Sequence, residues 1–294
     1  MTGPRSIAKW AMTIFACVAL IVNGVLILDW MRAGCPSPKA FALQFYAHYP
    51  ALSLGYHPPL LPGVEAACYF LFGVSPDAAR IAVWLLAAVG AGCGYRLLLE
   101  SAGRAAALWG SLLLWCAPAV AYWDRAVMLE IPAMSLLIAA SYWLLRGLRH
   151  GRFPVVLLAF ALGALAVSAK QTGGVWLPAA LVVALCEWRR GASPEAPAGQ
   201  EIRSAGWKPL VLRLGAILAT YGVLVAPMVF LTLAFGRTNL EENVARGGSL
   251  ERGSLECWTF YLACLPRQMG WPATVLAALG AIGATRTSFG VTYN

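Results

Sequence analysis

The sequence predicts an all-α fold, a polytopic membrane bundle of about eight transmembrane helices, and three observations predict it. Of the 294 residues, 60% are hydrophobic and only 12% are charged, roughly half the ~25% charge with which a soluble domain covers its surface. The apolar residues gather into long uninterrupted runs, and lysine and arginine cluster in the segments between alternate runs. This composition excludes an ordinary soluble enzyme and a disordered tail. The formal net charge of +9 would suggest phosphate partners on a soluble domain. In a membrane protein such an excess orients cytoplasmic loops, so no nucleic-acid partner is expected.

The first run, Trp10–Leu28, follows Arg5 and Lys9. At nineteen residues it exceeds the apolar core of about 7–15 residues in a cleavable signal peptide. It reads as an uncleaved first span with a cytoplasmic N-terminus, closed by Asp29-Trp30-Met31-Arg32. Further spans are expected at Ile81–Leu99, Ala105–Trp123, Ile131–Leu145, Phe153–Ala169, Val175–Trp188, Leu210–Phe235 and Trp271–Thr285. Leu60–Val74 is shorter and contains Pro62 and Glu65, whereas a crossing helix needs about 20 apolar residues. If it crossed, the arginine clusters at 146–152 and 189–213 would face outward, against the positive-inside rule. It is therefore read as interfacial.

The resulting organisation is one transmembrane domain over residues 1–285 with a tail at 286–294. A first external loop covers about 29–80 and holds two amphipathic juxtamembrane helices, Pro38–Tyr49 and Leu60–Val74. A cytoplasmic connector covers about 189–209, and a second external loop about 236–270. Gly90, Gly92 and Gly94 lie inside an apolar run, where a G-x-x-x-G serves close helix packing rather than nucleotide binding. No phosphate-binding G-x-x-x-x-G-K-[ST] occurs. The eight cysteines contain no C-x-x-C pair, and most sit in apolar runs as small hydrophobes. Cys35, Cys257 and Cys264 fall in external segments.

Charges at membrane depth cost about 2.5–3.5 kcal/mol at a helix centre and mark function by default. Under this topology the informative ones map to one face. Asp29 ends the first span, Tyr56 and His57 precede Pro58-Pro59-Leu60, Asp124, Arg125 and Glu130 lie between the third and fourth spans, and Lys170 ends the fifth. Glu65 and Asp124 are read as solvated. A carboxylate can deprotonate an acceptor hydroxyl, while cations bind and stabilise a phosphate leaving group. Such a set fits a transferase using a lipid-phosphate donor whose tail lies between spans.

In order along the chain stand the acid ending span one, His57-Pro58-Pro59-Leu60, Phe72-Gly73-Val74-Ser75 with Ala79-Arg80, Arg125 five residues before Glu130, and Ser168-Ala169-Lys170. Trp258 to Tyr261 and Leu265-Pro266 follow later. This series resembles the C-type (GT-C) glycosyltransferases, in particular the protein O-mannosyltransferase and lipid A aminoarabinose transferase group and its RgtA/B/C/D-like bacterial members. The resemblance implies a cell-membrane enzyme that moves a sugar from a polyprenyl or dolichyl phosphate to a lipid, glycan or protein acceptor on the extracytoplasmic face. It implies Asp29 and Glu130 as the catalytic acids, and Tyr56, His57, Arg125 and Lys170 around the donor phosphate. Whether Asp29 and Glu130 hold a divalent cation or act without one is left open. Two departures stand out: Trp30 follows Asp29 where many members have a second acid, and members are usually much longer than 294 residues. The alternative readings are a lipid-linked sugar flippase or transporter, against which the lack of a visible inverted repeat counts, and an inactive accessory subunit.

Overall fold

The computed structural model describes residues 4–48, 58–125, 127–191 and 207–245, together with Val275, and every regular element among them is helical. In chain order these are α1 (Pro4–Arg32), α2 (Pro38–His48), α3 (Leu60–Phe72), α4 (Pro76–Trp115), α5 (Pro118–Arg125), α6 (Glu130–Arg149), α7 (Phe153–Ala169), a 3-10 turn (Gln171–Val175), α8 (Trp176–Gly191) and α9 (Trp207–Ala245). Pro76–Trp115, Glu130–Arg149 and Leu210–Phe230 are long and apolar enough to cross a membrane. Leu60–Phe72, Phe153–Ala169 and Gln171–Cys186 form shorter apolar helices. Helices α2 and α3 cover the two segments expected in the first external loop. The expected last span, Trp271–Thr285, lies outside the described residues apart from Val275.

The expected spans Ile81–Leu99 and Ala105–Trp123 meet at Gly103, whose φ of 84° breaks α4 into two arms. That left-handed conformation is open to glycine without a Cβ penalty. A Cβ on Gly110 would stand 2.9 Å from Leu98 Cδ1, although twelve helical residues would otherwise separate them by ~18 Å. The second arm therefore folds back on the first. It ends at Trp115 rather than continuing to Trp123, because the chain turns at Cys116-Ala117 and Pro118 opens a new helix. Proline at a first helical position loses no intrahelical hydrogen bond.

The first arm of α4 lies tightly on α6. A Cβ on Gly90 would stand 2.6 Å from both Cα and Cβ of Ser135, and one on Gly94 would stand 3.3 Å from Ile138 Cγ2. Residues four apart share a helix face, so the glycine pattern does serve close packing. At the far end of this seam Glu100 faces Arg146 at 3.7 Å and Arg149 at 3.9 Å. Tyr142 donates to Glu100 Oε1 at 3.2 Å and accepts from Arg146. α6 thus carries an acid in its first turn and arginines in its last, as its macrodipole favours.

α6 and α7 form an antiparallel hairpin closed at His150-Gly151-Arg152. Gly147 admits the Val156 backbone, since a Cβ there would meet its nitrogen at 2.9 Å. Trp176, opening α8, lies over Gly163 and meets the Phe160 ring edge-on at 5.4 Å between centroids. Its Nε1 donates to Ser141 Oγ at 3.0 Å, which fastens α8 to α6. Trp176→Phe is expected to cost about 1 kcal/mol, the net worth of one such hydrogen bond. Thermal unfolding in detergent would detect that as a lowered melting temperature.

Candidate active site

The site is built from two helix ends that the α6–α7 hairpin brings level. Glu130 opens α6, followed by Ile131 and Pro132 in the same first turn. That turn needs no amide from its proline, and its exposed amide dipoles favour an acid. Lys170 caps the other end of α7 in extended backbone, φ −154° and ψ 128°, with its N–H returned to Ala166 O. Its Nζ donates to Glu130 Oε1 at 2.7 Å. Both side chains are about one-third exposed, Lys170 at 35% and Glu130 at 31%. The second carboxylate oxygen, Oε2, is buried and has no hydrogen-bond partner among the described residues. A buried polar atom left this way is uncommon and marks unused binding capacity.

α3 delivers a third segment to the same place. Leu60, its first residue, packs against the cluster of Ala133, Leu136, Ala166 and Ala169, beside both members of the pair. Pro58 is buried just before it. Tyr56 and His57 lie outside the described residues, but the chain leading from them enters at this point. Arg125 ends α5 five residues before Glu130, and its side chain is also outside the described residues.

Asp29 is placed differently. Its carboxylate is 44% exposed and faces Arg32 at 3.8 Å within α1. Further back along α1, Cys17 lies beside the Val127 backbone. The structure joins Glu130 to Lys170 and pairs Asp29 with Arg32.

Two further charged residues sit in surroundings that the sequence did not reveal. Arg80, noted only as part of a motif, donates to Asp77 Oδ1 at 2.7 Å from the first turns of α4. The ordered motif around Ala79-Arg80 was the signal for it in the sequence. Glu65, read as solvated, is fully buried. Among the described residues no group of three His, Cys, Asp or Glu side chains is gathered to hold a metal ion. Chemically, the pair offers a carboxylate able to take a proton and a cation able to meet an anion, side by side.

Residues 56–197, just under half the chain, match the family model of dolichyl-phosphate-mannose-protein mannosyltransferases. The GT-C resemblance holds across that segment. It contains His57, Arg125, Glu130 and Lys170, while Asp29 precedes it. A crystal structure of ArnT from Cupriavidus metallidurans in the apo state is similar, at 21% identity and a TM-score of 0.49. The likeness covers 75% of this chain and 39% of that protein, so the chain spans about two fifths of that protein's length. No curated protein matches the chain.

Proposed function

We propose that this chain is a membrane glycosyltransferase that moves a sugar from a polyprenyl or dolichyl phosphate to an acceptor hydroxyl on the extracytoplasmic face. The observation that carries the reading is the Glu130–Lys170 pair with its orphaned carboxylate oxygen, inside the segment that matches the mannosyltransferase family. In the proposed reaction the acceptor oxygen attacks the anomeric carbon and its proton passes to a carboxylate. The bond from that carbon to the phosphate oxygen breaks, and the lipid phosphate leaves with the electron pair. No strong acid is needed for that departure once its charge is matched.

Glu130 is assigned as the acid nearest the donor, and Asp29 as the base or acceptor-orienting group. Lys170, Arg125, His57 and Tyr56 are assigned to the donor phosphate. In these roles the substrate lies between α1 and α6.

The test is transfer of radiolabelled sugar from a polyprenyl phosphate by membranes carrying the chain. Appearance of label in lipid, glycan or protein, absent from membranes without the chain, supports the reading. Movement of the intact sugar lipid across the bilayer without covalent product would replace it with a flippase. Transfer that needs a second polypeptide would make the chain an accessory subunit. Asp29→Asn is expected to lower transfer at least about a hundredfold, the lower edge of what a positioned acid or base contributes. An unchanged rate would remove Asp29 from the mechanism.

A further inference from the structure

Glu65 has 0% exposure, and among the described residues neither of its carboxylate oxygens has a hydrogen-bond partner. It sits midway along α3, whose thirteen residues span ~20 Å and fall short of the ~30 Å hydrocarbon core. It faces α1 at Gly24. A Cβ built on Gly24 would stand 2.9 Å from both Cβ and Oε2 of Glu65 and 2.8 Å from Tyr69 Cε2. One turn further along α3, the Tyr69 hydroxyl donates to Ile21 O at 3.4 Å. The missing side chain of Gly24 is thus the notch into which Glu65 and Tyr69 fit.

Among the described residues no ion pair to the carboxyl is formed. On α3 its titratable neighbours are Cys68 and Tyr69, both neutral groups. α1 presents Gly24 and Ile21, and its nearest titratable residues along the helix, Cys17 and Asp29, are seven and five residues from Gly24. α4 packs into the same cluster as α3 through Ala78, Ala79, Ala82 and Val83, while its Asp77 and Arg80 pair with each other. α7 meets the opposite end of α3, at Leu60. Burial without a partner disfavours the anion and holds the carboxyl well above the usual carboxylate range.

We propose that Glu65 is a positioning residue that locks α3 into the Gly24 notch of α1 and thereby seats Leu60 against the Glu130–Lys170 end of the α6–α7 hairpin. It does so as the neutral acid, and ionisation unseats the helix. The lock is independent of the sugar-transfer reading; only its service to catalysis rests on that reading.

The test uses the full chain purified in detergent and does not require activity. Above the ordinary carboxylate range the unfolded chain releases the Glu65 proton while the folded chain keeps it. Stability therefore falls with rising pH until the folded form also ionises. From pH 5 to pH 8 the melting temperature of the native chain is expected to drop relative to Glu65→Gln, with the gap closing towards pH 4. Parallel curves overturn the lock.

If Glu65→Gln does not yield folded protein, Glu65→Met serves as the neutral replacement. An infrared band of a protonated carboxyl in the native chain at pH 7 gives a further readout, and its absence also overturns the lock. Positioning is read by oxidative cross-linking of Leu60→Cys to Ala169→Cys, with and without Glu65→Gln at each pH. The ratio of yields is expected to be near one at pH 7 and to fall at least twofold in the Glu65 background by pH 10. A ratio independent of pH overturns the positioning role.

Discussion

Glu130→Gln is expected to lower sugar transfer by about two to three orders of magnitude, within the range that a positioned acid or base contributes. The substitution keeps the side-chain shape and a carbonyl that can still accept from Lys170, so the α6–α7 contact survives. It removes the group that can take a proton and leaves the Lys170 ammonium without its counter-charge. Lys170→Met attacks the same unit from the other side, leaving a carboxylate, only 31% exposed, without the cation it pairs with. Two groups 2.7 Å apart that act as one unit give strongly non-additive losses. The double variant should therefore be about as slow as the worse single variant, not slower by the product. A rival view makes the pair a simple tether between helix ends. It predicts that exchanging the two, Glu130→Lys with Lys170→Glu, restores transfer along with stability. Full activity in Glu130→Gln would end the catalytic assignment outright.

Much of this site was legible in the sequence because it depends on helix lengths. Ile131–Leu145 and Phe153–Ala169 are comparable apolar runs around a short polar turn, so a hairpin of nearly equal arms puts residues 130 and 170 at the same level. Similarly, the Ser101-Ala102-Gly103 interruption separates two runs that the structure folds back on each other at Gly103. The break at Cys116 was not legible, since cysteine and alanine continue an apolar run without a visible signal, and only Pro118 marks the turn. The rotation of each helix about its own axis was also hidden. Glu65 reads as a solvated face if α3 has one open side, but it is fully buried and packs against Gly24 of α1. Asp29 pairs with Arg32 one turn along α1, and order along the chain alone groups it with the other polar residues. Tyr56 and His57 fall outside the described residues, so only their approach through Leu60 has a structural counterpart.

Gly90→Ala is expected to destabilise the chain by about 1–3 kcal/mol, the usual cost of forcing a group into a filled contact, and to reduce transfer with it. The new methyl would stand 2.6 Å from Ser135 Cα. That atom is backbone, and no rotamer change moves it aside, so α4 and α6 must separate. The gain of roughly 1 kcal/mol in helix propensity from glycine to alanine offsets only part of the cost. Gly92 supplies the internal control. It lies on the same arm two residues away, where a Cβ meets nothing within 4 Å, so Gly92→Ala should be neutral or stabilising by up to about 1 kcal/mol. Melting temperatures of the two variants in one detergent would then move in opposite directions. The consequence for function follows from the position of Ser135, five residues along α6 from Glu130. Displacing that helix shifts Glu130 relative to Lys170, and a displacement near 1 Å can cost about a hundredfold in rate. If both alanine variants melt alike, close packing of α4 on α6 is not what Gly90 provides, and the rigid seat of Glu130 would have to come from α7 alone.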